Sequence, residues 1–342
     1  MCDILTVQPV GIVDHIIVVD DEGSMREMLS GDEIGGSHPI SSDEMELLLS
    51  QGVGRTESKP GGSAANVIRN IARLGGIRCR IVGGRGDDAW GRLFQRSMED
   101  GGIDVKYLSV KEGNTGCCCV VTCGNTRTMR PMFESAAQIG VGDVDAVQFQ
   151  GARVLFVSAY CFYYRGMVER IIELGREQGC TIALDMASFE IVRRFSRDIV
   201  KILGQVDVCF CNEDEAREIS LSCSTTTTTT TDTHQEDYVA HAAGYLLECG
   251  VHVAVVVTLG EDGCRMFVPG GDETRVAACC VDHVVDTTGA GDAFSAGFLW
   301  GYFQGYELLR CLEVGNLTGA AVVQSVGSEI AHDKLEWLHQ QL

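Results

Sequence analysis

No run of apolar residues in the chain approaches the roughly 20 needed to span a bilayer. The amino terminus MCDILTVQPVGIVDHIIVVD becomes strand-like without a basic leader or a cleavage site. A membrane partner and a secretory route are therefore not expected, and a cytoplasmic location is. Positive charge is scarce: 27 Lys and Arg face 48 Asp and Glu, for a net charge of −21. Such a surface repels polyanions, so no nucleic-acid polymer is expected as a partner. A small anion such as ATP can still be held by local backbone amides. The 16 cysteines never fall at C-x2-C spacing, and GCCCVVTC and ACC read as small apolar strand residues. Reduced thiols are expected, with neither a disulfide frame nor a metal cluster. VGGRGDDAWG lacks the G-x-G-x-x-G spacing and a matching acidic residue after a second strand, which places an oxidoreductase last. No internal repeat is found.

What is there is alternation. From Ala152 onward, short apolar runs (RVLFVSAY, TIALDMA, VDVCFCN, VHVAVVVTLG) alternate with helical spacings (MVERIIELGREQG, IVRRFSRDIVKILGQ, YVAHAAGYLLECG). Buried strands between amphipathic helices predict a doubly wound, mainly parallel α/β sheet. The amino-terminal third differs. GIVDHIIVVDD and TGCCCVVTCGNTRTM read as strands, the second turning at Gly124-Asn125, and could form a small accessory sheet. The acidic stretch from Asp20 to Gly52 reads as irregular, belonging to that sheet or hanging over a site. The Thr225–Thr231 run reads as a flexible surface insertion over about 222–236.

The densest chemical signal is HVVDTTGAGDAFSAGFLWGY. Gly289-Ala290-Gly291 can turn successive N–H groups to one side just before a helix, which makes an anion hole from unpaired amides and the helix field. Asp292, in the first turn, can accept a proton from a hydroxyl being phosphorylated. The competing reading is a helix cap. KPGGSAANVIRNIARLGG is a second glycine-led helix entry, where Gly61 and Gly62 allow close approach and Asn66 can bond a polyol; small-residue packing is an equal alternative. Two more candidates lie past strand ends, where open α/β sheets bind ligands. Asn212 and Glu215 in CNEDEAREI could organise water around Mg²⁺ or merely cap a helix. Thr258, Gly260 and Gly263 in TLGEDG could meet nucleotide phosphate or ribose, or form a plain strand-to-strand turn.

With these residues in view, the chain resembles the ribokinase/PfkB family of carbohydrate and nucleoside kinases. GGSAANVIRNIARLGG is similar to its amino-terminal signature, DTTGAGDAFSAGFLWGY to its carboxy-terminal signature and NEDE to its N-x-x-E element. RTMRP, LDMASFE and NEDEA bring it nearest to adenosine-kinase-like members. The resemblance implies one ribokinase-like domain over residues 1–342, with a β lid from about 12–58 and 107–132. It implies Asp292 as catalytic base and the Gly289, Ala290 and Gly291 amides as anion hole. Asp14, Gly62 and Asn66 would hold the acceptor, although PVGIVDHI lacks the asparagine that many sugar kinases place between the glycine and the aspartate. Asn212, Thr258, Gly260 and Gly263 would line the ATP side, with Asn212 and Glu215 supporting Mg²⁺ and Asp286 and Thr288 near a K⁺ ion.

The leading functional expectation is an ATP-dependent kinase acting on a primary hydroxyl of a sugar or nucleoside. The alternative is a catalytically inactive nucleotide-binding regulator on the same fold. Phe133, Tyr160 and Trp90 are candidate base clamps, each also a plausible core residue. A monomer and a homodimer paired through lid strands both fit.

Overall fold

The computed structural model describes residues 2–30, 34–52, 56–124, 126–133, 135, 137–224 and 237–342. Among these, thirteen strands form two sheets. In chain order they are β1 (Ile4–Gln8), β2 (Ile12–Val18), β3 (Thr56–Gly61), β4 (Cys79–Gly86), β5 (Asp104–Lys111), β6 (Gly116–Cys123), β7 (Thr126–Met132), β8 (Val154–Ser158), β9 (Thr181–Asp185), β10 (Val208–Asn212), β11 (Ala254–Thr258), β12 (Cys264–Phe267) and β13 (Thr274–Val276). The large sheet runs β13-β12-β11-β10-β9-β8-β1-β4-β5 and is parallel from β5 to β11; the β11/β12 and β12/β13 pairings are antiparallel, so β12 alone runs against the rest. This is the expected doubly wound α/β architecture. The chain builds outward from β1 to β5, then returns to β8 on the other side of β1, so the strand order reverses between β1 and β8.

The strands read as continuous apolar runs because both faces are covered. Alternate residues serve opposite cores. Leu155, Val157, Leu184 and Val255 pack beneath the helices Met167–Glu177, Phe189–Leu203 and Tyr238–Glu248. Val154, Phe156, Ala183 and Val256 pack beneath the helices Ser63–Leu74 and Ala290–Phe303.

The small sheet runs β3-β2-β6-β7. Its inner face carries Ile12, Ile16, Cys118 and Val120. Its outer face carries Ile17, Cys119 and Val121 against Met25, Met45 and Leu48. Those three last residues belong to two helices, Glu22–Met28 and Ser42–Gln51, so the stretch expected to be irregular is partly helical and covers the small sheet. Asp21 and Ser41 cap them by accepting from the N–H of Ser24 and Glu44. Residues 107–111 sit in β5 of the large sheet, which leaves β6 and β7 as the part of 107–132 paired in the small one. Residues 222–224 end the helix Glu213–Ser224. The rest of the 222–236 insertion, and Asn125 of the proposed turn, lie outside the described residues. Among the described residues, no helix is long and apolar enough to cross a membrane.

Candidate active site

Five parallel strands end in one cleft of about 480 Å³: Gln8 of β1, Ser158 of β8, Asp185 of β9, Asn212 of β10 and Thr258 of β11 all line it. The cleft therefore opens at the carboxyl edge of the sheet and includes the β1/β8 reversal, where such sheets place ligands. The inner face of the small sheet forms a wall. Asp14 registers with Cys118 across β2 and β6, and Cys118 with Pro131 across β6 and β7, and all three line the cleft. Met129 and Ile12 extend that wall, with Phe133 and Tyr160 beside them.

Two helices enter the cleft behind glycines with positive φ. Gly62 (φ 91°) precedes Ser63–Leu74, and Gly289 (φ 73°) precedes Ala290–Phe303; neither helix has a side-chain cap. At Gly289 an added Cβ would overlap Ser328, so both the dihedral and the space require glycine. Ala290 N–H closes the turn on the Thr287 carbonyl at 3.2 Å. Among the described residues, neither the Gly289 nor the Gly291 N–H donates to a backbone carbonyl. The first turns of the two helices meet where Asn66 Nδ2 donates to Asp292 Oδ2 at 2.8 Å.

The third helix entry differs. Asn212 accepts from the Glu215 N–H at 2.9 Å, while the Glu215 carboxylate accepts from the Asn212 N–H and Nδ2, both at 2.8 Å. This is a closed capping box, with Glu215 buried beneath it. Its carboxyl is held well above the usual range by burial and then by the nearby Asp185.

Carboxyl groups crowd the cleft. Burial pushes Asp14 up to about 7, with Arg69 opposing and Asp292 adding to the shift. Burial and then Asp292 push Asp185 up to about 7. Burial raises Asp292 itself, opposed by its hydrogen bond from Asn66 and by the Arg127 and Arg69 charges. Arg127, on β7, reaches across the cleft and donates to Thr287 Oγ1 at 3.4 Å, linking the small sheet to the turn before Gly289.

Of the residues expected from sequence, Asp14, Gly62, Asn66, Asn212, Glu215, Thr258, Gly260, Thr288, Gly289, Ala290, Gly291 and Asp292 line this one cleft. Two do not. Gly263 lies against the backbone of Val276–Ala278 at the β12 start. Asp286 sits behind the turn, its carboxylate accepting from the Thr288 and Gly327 N–H groups at 2.8 and 2.9 Å. Phe133 and Tyr160 line the cleft, whereas Trp90 packs edge-on against His15 away from it. Among the described residues, no three His, Cys, Asp or Glu side chains gather as a metal cage.

Sequence reasoning missed Asp185, Arg127 and Gln8. Asp185 was visible as a lone acid closing an apolar strand, with Oδ2 accepting from Ser295 Oγ at 3.2 Å and Oδ1 from the Ala187 N–H at 2.8 Å. Arg127 lies in the RTMRP segment and carried no spacing signal.

A model of the pfkB family of carbohydrate kinases matches residues 44–335. The chain is 28% identical over 286 residues to the aminoimidazole riboside kinase of Salmonella typhimurium, covering 80% of this chain and 84% of that one. It is 27% identical over 277 residues to the ATP-dependent 6-phosphofructokinase of Thermoanaerobacterium thermosaccharolyticum, covering 78% and 80%. The solved adenosine kinase of Sinorhizobium meliloti superposes with a TM-score of 0.85 at 27% identity, covering 100% of this chain and 99% of that one. By this match over most of its length, the chain belongs to the pfkB family of carbohydrate kinases.

Proposed function

We propose that the protein transfers the γ-phosphoryl group of ATP to a primary hydroxyl of a ribose-bearing acceptor, a nucleoside in preference to a free sugar. The observation that carries this reading is Asp292: a carboxylate in the first turn of an uncapped helix, beside the open Gly289 and Gly291 amides and within the cleft that holds Asp14 and Asn66. In that position Asp292 takes the proton from the acceptor hydroxyl while the amides and helix end offset charge on the transferring group. Its raised affinity for protons suits it to the task.

Asp14, Gly62 and Asn66 hold the sugar hydroxyls. The nucleoside preference rests on the apolar wall of Ile12, Met129, Pro131, Phe133 and Tyr160, where a base can stack. Asn212, Thr258 and Gly260 face ATP from the other end. Glu215 keeps the Asn212 turn in shape while leaving lone pairs for water, which fits a Mg²⁺ ion held through water and phosphate. Bound there, the ion would supply charge neutralisation for the triphosphate. Asp286 and Thr288, behind the anion-hole turn, are where a K⁺ ion would be held. Movement of the small sheet toward the helix entries would exclude water.

The test is coupled ADP release with ATP and Mg²⁺, with and without K⁺, against adenosine, other nucleosides, ribose and fructose. Asp292→Asn should lower kcat by about 10²–10⁴-fold while ATP binding by calorimetry persists. Turnover retained in that variant, or ATP binding without turnover in the wild type, overturns the reading.

A further inference from the structure

Arg69 lies one turn after Asn66 on the helix Ser63–Leu74 and is only 2% exposed, among the largest fully buried side chains of the protein. Nothing in the phosphoryl-transfer reading uses it. Its surroundings are specific. Nη2 donates to Asn66 Oδ1 and to the Pro60 carbonyl of β3, the latter at 2.9 Å, and Nη1 donates to Ser97 Oγ at 3.3 Å. Nε pairs with Glu329 Oε1 at 3.0 Å, and the other Glu329 oxygen pairs with Arg73. Ser328 Oγ also donates to Asn66 Oδ1, at 2.9 Å.

A guanidinium has donors only, and a carboxylate has acceptors only. Asn66 stands between the two. With Arg69 and Ser328 both donating to its carbonyl oxygen, its NH₂ must turn to Asp292. A flipped amide would face oxygen to oxygen at Asp292 and NH₂ to guanidinium at Arg69, losing bonds on both sides. The direction of the Asn66 amide, which distance alone would leave to assignment, is thus dictated by its neighbours. One Asp292 oxygen is thereby engaged, and the carboxylate plane is fixed.

We propose that Arg69, assisted by Ser328, is a positioning residue that locks the Asn66 amide and through it aims Asp292 at the acceptor hydroxyl. This rests on the reading of Asp292 as the base. Arg69 touches neither acceptor nor ATP in this scheme; its hydrogen bonds act through Asn66, while its charge, which also bears on Asp14 and Asp292, is kept by the lysine variant below. Two consequences separate that from plain structural support. Loss of Arg69 acts on kcat more than on acceptor KM, and it acts only while residue 66 is an amide that can be misdirected.

The experiment is a double-mutant cycle in the full chain. Arg69→Lys keeps the charge beside Glu329 but loses the fork that reaches Asn66 and Pro60 together. In the wild-type background it should lower kcat about tenfold, the effect of a change of ~1.4 kcal/mol in barrier. Acceptor KM should move less than twofold. In an Asn66→Ala background the same substitution should change kcat less than twofold. Ser328→Ala, a smaller change, should show the same background dependence with a weaker effect and keeps the test available if Arg69→Lys unfolds. Equal losses in both backgrounds, or an unchanged kcat in both single variants, overturn the relay while leaving the kinase reading standing. A wild-type protein without turnover removes Asp292 as base and the relay with it.

Discussion

Three helix ends share the cleft, and they are built in two opposite ways. The ends at Gly62 and Gly289 have no side-chain cap, and each sends one first-turn polar side chain, Asn66 or Asp292, into the space between them. The end at Asn212 is closed on itself: Asn212 Oδ1 accepts from the Glu215 N–H, and the Glu215 carboxylate accepts from the Asn212 N–H and Nδ2. A helix cap satisfies orphan amides, so a capped end can offer a ligand its remaining side-chain atoms but not those amides. The uncapped pair leaves its first amides without a side-chain cap. Sequence spacing shows a polar group near each helix start; only geometry shows which end is open.

The sharpest way to break the open end is Gly289→Ala. The new Cβ needs the left-handed backbone at φ 73° and overlaps Ser328, so the amides must shift. A kcat loss of about 10²–10³-fold is expected, the scale of losing an oxyanion-hole donor. A variant with near wild-type kcat would show that this turn is not the anion hole.

The acid side of the pH profile is the next test. Because burial raises Asp292 above the value of an exposed aspartate, kcat/KM should fall as pH drops through that raised value, about tenfold per pH unit below it, and before an exposed aspartate would protonate. A profile flat down to pH 4 would contradict a raised base.

At the closed end, Glu215→Ala should act mainly on stability. It removes half of the capping box at an exposed asparagine, a loss on the scale of a helix cap, about 0.5–2 kcal/mol, which should appear as a lower Tm, with kcat reduced less than tenfold. A kcat loss as deep as that of Gly289→Ala would erase the contrast between the two kinds of helix end.

The smallest expected effect is a gain. Asp185 has a folded-state pKa of about 7, above its unfolded value, so the native state binds more protons and loses stability as pH rises from about 4 through 7. Asp185→Asn removes that loss. Its Tm advantage over wild type should be near zero at pH 4 and reach about 2–4 °C at pH 8. An advantage that shrinks with rising pH would refute the assignment.

Much of this was legible in the residues. From Ala152 onward the alternation of apolar runs and helical spacings is direct, because strands covered on both faces admit no polar positions. GAGD was legible because glycine freedom placed ahead of an apolar helix has few other uses. The remainder depended on contacts distant in the chain. Arg69 looks like a solvated charge on an amphipathic helix until Glu329, Pro60 and Ser97 close around it. Asp185 ends its strand like any polar residue until Asp292 and Ser295 arrive. The helices Glu22–Met28 and Ser42–Gln51 hid behind acidic composition, since the apolar residues that meet the small sheet's cluster, Met25, Met28, Met45, Leu48 and Leu49, are set among acidic ones. Gly263 and Asp286 matched by motif yet serve the backbone around them.

The bond between Asn66 and Asp292 joins residues 226 positions apart. During synthesis the first glycine-led helix can form long before its counterpart exists, and the acid that would activate a nucleophile is among the last parts to be made. On the proposed reading, the residues for holding the acceptor are thus made well before the base and the glycine turn, which arrive together as one short segment.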